Sequence, residues 1–454
     1  MPPWQVSWRS HTTTSTRLSR SRRRRSTLAA EPQPLGGAAY LRLVLTGAAI
    51  GVPAALVAAG FLVAVHQLED VLWDDLPDAL GYSDAPWFLV LFVPVAGAAV
   101  VALARRWLPG DGGHEPLGGL SMAPTPLAAA PGVALAALGT LSFGAVLGPE
   151  APLIALGSIV GVAATAILRL GEREHAVLGL AGSASAISAL FGGPLPASVL
   201  LVEAGLAKGS ALIPILIPGL VSAACGYMIF IGIGDWGGLD ATSLTVQGLP
   251  PYDGAQVGDL LVAVLVGIAA GLMVVVIHRE GRRVAGLREG GLGMVALLLA
   301  GGLAVGCLGV VADALGAETP EVFFSGQSGV PDIIAEGSVG VVIVVLLAKA
   351  AAYGICLGCG FRGGPVFPAI FTGVALATIA VIAVDMSPTV AVAAGTAAGM
   401  AAATRLLISS LVVAALLVGT GGLDAIPAAV LAAVAAWLTV NALEPAQSPA
   451  PAHT

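Results

Sequence analysis

The sequence predicts an all-α polytopic membrane protein built from two related halves. Hydrophobic residues make up 57% of the 454 and charged residues only 10%, and the mean hydropathy is +0.93, far from the balance of a soluble globular chain. Apolar stretches long enough to cross a bilayer as helices recur along the chain. The frame G-x3-G-P-x2-P-x4-G occurs twice, from Gly144 to Gly157 and from Gly360 to Gly373. Gly148 of the first copy and Gly364 of the second are 216 residues apart, too far for a solenoid repeat and about right for a duplicated membrane unit.

In chain order, residues 1–36 are polar and basic, with the run Arg22-Arg23-Arg24-Arg25 and no acid before Glu31. This composition predicts a disordered cytoplasmic tail whose charge orients the first span by the positive-inside rule. Leu41–Val65, Trp87–Leu103, Leu260–Ile277, Met294–Val311, Val339–Ile355 and Ala425–Val440 read as membrane helices. The segments after Pro152, Pro194 and Pro368 read as short or interrupted, because 61 Gly and 30 Pro break the apolar pattern too often for a simple bundle. Broken helices at membrane depth are tolerated where they line a polar cavity within protein. A single transmembrane domain over 37–443 is expected, with halves at about 37–240 and 256–443 and a disordered tail over 444–454.

Each Gly-Pro turn places a second proline near the first turn of an apolar segment, where its missing N–H costs nothing. Free amides at such a helix start can hold an anion. Glu150, between Pro149 and Pro152, is the most informative residue, because a carboxylate in an apolar segment is costly unless it has a partner or a task. Two readings stand. Glu150 is a cap that satisfies amides at a helix start, or it is a titratable gate that alternately occupies and leaves an anion site.

Other chemistries find less support. Cys356 and Cys359 form a C-x-x-C with no second pair, no following His and no βαβ context, so they read as small buried side chains. No metal and no cofactor is expected. The formal net charge of −7 implies no nucleic-acid partner, and the basic tail fits contact with anionic lipid. A membrane-embedded hydrolase using Ser183 or Ser185 lacks a G-x-S-x-G nucleophile motif. A membrane scaffold that transports nothing is a further alternative.

Taken together, the motifs resemble those of the CLC family of chloride channels and chloride/proton antiporters. Gly148-Pro149-Glu150-Ala151-Pro152 is similar to the family's G-(K/R)-E-G-P signature, with Glu150 on the gating glutamate. Gly364-Pro365-Val366-Phe367-Pro368 resembles its G-x-F-x-P signature, and Gly113-His114-Glu115-Pro116 resembles the weaker G-S-G-I-P. The stretch from Ala181-Gly182-Ser183-Ala184 to Glu203, and Ala394-Gly395-Thr396-Ala397 in the second half, follow in matching order. A divergent bacterial branch of ion-transport proteins shares G-P-E-x-P and G-F-R-G-G-x-x-F-P. The resemblance runs through most of residues 37–441. It implies a CLC-like fold of two inverted-topology halves with many tilted and broken helices, and a homodimer with one pore per subunit. It also implies transport of a small inorganic anion, chloride by default, across the bacterial cell membrane. The anion-binding set it implies is Gly148, Ala151, His114, Gly364, Val366 and Phe367, with Glu150 as the gate. Weak, multiple contacts of this kind let an ion both enter and leave.

The pattern departs from the family in places that bear on mechanism. His114, followed by Glu115, stands where the family has a serine at the central site, and no Tyr follows Tyr353. A neutral imidazole donates one hydrogen bond, although both residues also fit a solvated loop. The antiporters' inner proton-accepting glutamate falls on Ala204. Glu203 is then either a different proton route or a helix-end carboxylate near Lys208, and proton coupling is expected to be weak or absent. Arg362 and Arg405 suit helix capping or ion pairs, and Arg362 also suits concentrating anions at a vestibule. Pro149 and Pro365 carry no backbone N–H, so occupancy is expected near Glu150 rather than at the central position.

Overall fold

The computed structural model describes residues 37–204, 212–235, 237–239, 244–291 and 293–444. The basic tail and Lys208 lie outside these residues. From Leu41 onward the chain is one compact unit, and the four described residues before it are helical.

The helices are α1 (Gly37–Asp70), α2 (Leu76–Ala79), α3 (Trp87–Trp107), α4 (Ala130–Leu141), α5 (Glu150–Leu168), α6 (Glu172–Leu190), α7 (Pro194–Glu203) and α8 (Leu212–Ile231). The series continues with α9 (Val257–Glu289), α10 (Met294–Ala314), α11 (Thr319–Val322), α12 (Val330–Ala335), α13 (Val339–Cys359), α14 (Val366–Val384), α15 (Pro388–Thr404), α16 (Leu407–Val418) and α17 (Ile426–Leu443). Among the described residues, nine helical segments are long and apolar enough to cross a membrane. All six of the sequence-derived spans lie within helices or overlap them closely, and the helices extend up to a few turns further.

The segments after Pro152 and Pro368 differ from expectation. α5 and α14 each run 19 residues without a break, whereas α7, after Pro194, has only 10. Pro152 and Pro368 are the third residues of their helices, and the first amides of a helix have no helical acceptor. A proline there breaks nothing.

Packing repeats between the two parts of the chain. α5 packs on α6 as α14 packs on α15, α6 on α8 as α15 on α17, and α7 on α8 as α16 on α17. Contacts between α3 and α10 and between α7 and α16 join the two parts. Small residues set the closest approaches, as expected where backbones rather than large side chains meet in a membrane. Gly157, the last glycine of the first repeated frame, lies so near Gly182 that a Cβ would stand 2.4 Å from the Gly182 carbonyl oxygen. Gly373, its counterpart, approaches Gly395 in the same way, at 2.1 Å. Large apolar side chains such as Leu265, Leu347 and Leu438 instead face outward and are exposed, a surface suited to lipid.

Candidate functional site

The repeated frame builds two matched helix starts. Gly144 and Gly360 take left-handed backbone, with φ of 86° and 103°, which glycine adopts without strain. Four residues later, Gly148 and Gly364 meet. The N–H of Gly148 donates to the Gly364 carbonyl at 2.8 Å, and the N–H of Gly364 returns a bond to the Gly148 carbonyl at 2.6 Å, an isolated antiparallel bridge. Pro149 and Pro365 are then the N-caps of α5 and α14. With proline at the N-cap and again at the third helical position, only the first two amides of each helix start lack a helical acceptor. These belong to Glu150 and Ala151 in α5, and to Val366 and Phe367 in α14.

Glu150 is fully buried and crosses to the other helix. Its Oε1 accepts from the N–H of Val366 at 2.7 Å and of Phe367 at 3.0 Å, so one oxygen takes both free amides of α14. The positive end of the α14 dipole favours a negative group at this place. Oε2 is buried and has no hydrogen-bond partner. Gly148 and Gly364 wall that oxygen in: a Cβ on either would fall 2.0 or 2.1 Å from it. Phe191 stacks on Phe367 with ring centroids 5.8 Å apart and planes 13° from parallel, and both rings are buried. Behind the turn, the buried Tyr353 hydroxyl donates to the Pro365 carbonyl at 2.7 Å. The compartment is closed off from the protein surface, and the carboxylate in it is held by one oxygen only.

A second compartment adjoins the α5 start. Gly112, Gly113, His114, Ala151, Pro152, Arg362 and Gly363 are among the residues that line a small cleft. Arg362 is 2% exposed. Its Nε donates to the Asp111 carbonyl at 2.9 Å and its Nη2 to the Asp111 carboxylate at 2.5 Å. Arg105 donates to both oxygens of the same carboxylate, at 2.9 and 3.0 Å. Glu115 pairs with Arg288 at 3.2 Å. Asp111 and Glu115 are more than half exposed, which marks the side of the cleft that meets water. Burial and the Arg362 charge hold the His114 imidazole below its ordinary pKa of 6.5, so it is neutral at pH 7 and donates a single hydrogen bond.

The structure therefore divides the sequence-derived anion set. Gly148, Gly364, Val366 and Phe367 gather around Glu150, whereas His114 shares the cleft with Ala151 and Arg362. Glu203 is elsewhere. Its carboxylate accepts from Ile408 N–H at 2.8 Å, from Ser409 N–H at 2.7 Å and from the Ser409 hydroxyl at 2.7 Å, which caps the start of α16. Arg405 donates to Asn441 at 2.6 Å and to the Glu444 carbonyl, at the end of α17. Ser183 and Ser185 donate to the Ile154 and Gly51 carbonyls. Cys356 and Cys359 are buried and unbridged. Arg105 and Asp111 had no part in the sequence reading, and Tyr353 entered it only as the last tyrosine of the chain; its place in the apolar run before Gly360 was the available signal for its role.

Comparison with known proteins joins this geometry to a family. Residues 96–441 match the family described as voltage gated chloride channel. The chain is 30% identical over 349 residues to the "Putative ion-transport protein YfeO" of Escherichia fergusonii, covering 74% of this chain and 78% of that protein. The protein of the same name from Escherichia coli is equally similar. Among solved structures, a slow cyanobacterial Cl-/H+ antiporter superimposes with a TM-score of 0.70 at 16% identity, over 89% of this chain and 95% of the other. A CLC-type fluoride/proton antiporter gives 0.68 at 18% identity, over 89% and 96%. Fold and comparisons together define an integral membrane protein of the anion-transporting class, with the CLC arrangement of two inverted halves. The chain belongs to the voltage gated chloride channel family.

Proposed function

We propose that this protein passes a small monovalent anion, chloride by default, along a route that contains the Gly148–Gly364 junction, with Glu150 as the gate. The observation that carries this is the Glu150 Oε1 atom seated on the amides of Val366 and Phe367. A carboxylate in that position stands in for a bound anion. When it leaves, the Val366 and Phe367 amides become free donors, weak contacts of the kind that let an anion both bind and leave. The unpartnered Oε2 favours departure, because a buried acceptor without a donor costs about 1–3 kcal/mol. Protonation removes the charge that holds Oε1 and thereby opens the site.

Proton coupling is weak or absent in this reading, since Glu203 serves α16 and Ala204 carries no acid. Glu150 provides the titratable group at the gate. The alternative is proton-coupled exchange, including fluoride export, and the two antiporter neighbours in fold favour keeping it. The protein is further proposed to be a homodimer in the bacterial cell membrane with its N-terminus cytoplasmic. Anion flux in proteoliposomes, with and without a pH gradient, tests the reading. Chloride flux that is independent of the proton gradient supports it, tight uphill proton movement supports the alternative, and no flux of any halide or nitrate sinks both.

A further inference from the structure

We infer that the cleft beside α5 is a second anion site, one that uses a charged side chain, and that Arg362 is its principal donor. The inference rests on the anion-transport reading but concerns a compartment distinct from the gate. The guanidinium of Arg362 is buried, and although Nε and Nη2 are bonded to Asp111, Nη1 has no hydrogen-bond partner. Its nearest carboxylate oxygen, on Glu115, is 3.9 Å away, beyond hydrogen-bond reach. A buried guanidinium N–H without an acceptor is costly, and a bound anion supplies the missing acceptor.

The rest of the cleft agrees. Ala151 brings a first-turn amide with no helical acceptor, and the neutral His114 brings one further N–H. The cleft has room for about one water-sized guest, too little for a polyatomic anion without rearrangement.

A full positive charge in a pore normally traps an anion, and the neighbouring charges answer this. Asp111 is shared between Arg105 and Arg362, and Glu115 is bonded to Arg288. Arg362 is thus partly neutralised, and the surplus positive charge is spread over a cluster half open to water. The cleft attracts an anion from solution and holds it weakly, one step from the amides that Glu150 occupies.

Bromide soaked into crystals of wild type and of Glu150→Gln tests the assignment. Anomalous density within about 3.5 Å of Arg362 Nη1 is expected. Density on the Val366 and Phe367 amides alone overturns the inference and leaves the gate standing; density at neither place overturns both. Flux gives a second readout. Arg362→Gln is expected to raise the half-saturating chloride concentration about tenfold. Asp111→Asn, which strips the guanidinium of its carboxylate, is expected to lower it by roughly threefold. A rise in both variants signals damage to a structural ion-pair cluster, and an unchanged Arg362→Gln signals an idle side chain; either overturns the inference.

Discussion

The hydroxyl of Tyr353 donates to the carbonyl of Pro365 at 2.7 Å, tying the middle of α13 to the residue just before the two amides that hold Glu150. That bond fixes the plane of the peptide that enters α14, and with it the aim of the Val366 and Phe367 N–H groups. Tyr353→Phe keeps the ring and removes only the donor, taking one hydrogen bond from the buried Pro365 carbonyl. Loss of about 1–2 kcal/mol of stability is expected, together with an altered pH dependence of anion flux. Lower thermal stability with an unchanged flux profile would reduce Tyr353 to a structural strut.

The gate itself is tested by Glu150→Gln. The amide side chain still offers an oxygen to Val366 and Phe367, but it cannot ionise and so holds those donors less strongly. Flux in wild type is expected to rise as pH falls and the carboxylate is protonated, whereas the variant is expected to conduct at least as fast and without that acid dependence. The measurement is chloride efflux across a pH series, and a variant that retains the wild-type profile would return Glu150 to a capping role.

His114 contributes a second, separable pH effect. Its pKa is lowered from 6.5 by burial and by Arg362, so the folded protein binds this proton less readily than the unfolded chain does. The stability owed to the neutral imidazole is complete above about pH 6.5 and declines as the solution is acidified below that value. Further into acid, where the folded imidazole itself takes up the proton, the cleft gains a positive charge. His114→Gln is expected to flatten both the acid loss of thermal stability and any acid gain in apparent chloride affinity.

The matched glycines predict matched defects. Gly157→Ala and Gly373→Ala each drive a methyl group into the carbonyl of the facing helix, at Gly182 and Gly395. Each is expected to cost about 1–3 kcal/mol. Gly60→Ala in α1, where a Cβ meets nothing within 4 Å, is expected to stay within about 1 kcal/mol of wild type. Thermal unfolding in detergent compares all three.

Much of this fold was legible because glycine and proline in apolar sequence have positional meaning. The frame around Glu150 and its echo around Val366 announced two helix starts, and the apolar runs announced most spans. Pro152 and Pro368 misled on helix length, because composition does not distinguish a proline in a first turn from one that breaks a helix. The reciprocal bonds between Gly148 and Gly364 were not legible at all. They join residues 216 positions apart, and no local pattern records that the two copies face each other. Buried charge was equally hidden. Lys349 is fully buried, donates to the carbonyls of Glu321 and Phe323 at 2.9 and 2.7 Å, and lies 4.4 Å from the Phe371 ring centre. Its partners are backbone oxygens and an aromatic face, neither of which leaves a complementary charge in the sequence.

Glu203 offers the sharpest test of how protons enter. A carboxylate that relays protons must be free to titrate and to exchange partners, but both oxygens of Glu203 are engaged by the first residues of α16. A side chain held by three donors serves the helix start. Glu203→Gln keeps one acceptor oxygen and loses the charge that complements the α16 dipole. It is therefore expected to lower stability by about 0.5–2 kcal/mol and to leave chloride flux and its pH dependence as they are in wild type. Proteoliposomes with opposed chloride and proton gradients measure both quantities. If wild type moves protons uphill and Glu203→Gln does not, the cap is also the proton entrance, and the weak-coupling reading fails with it.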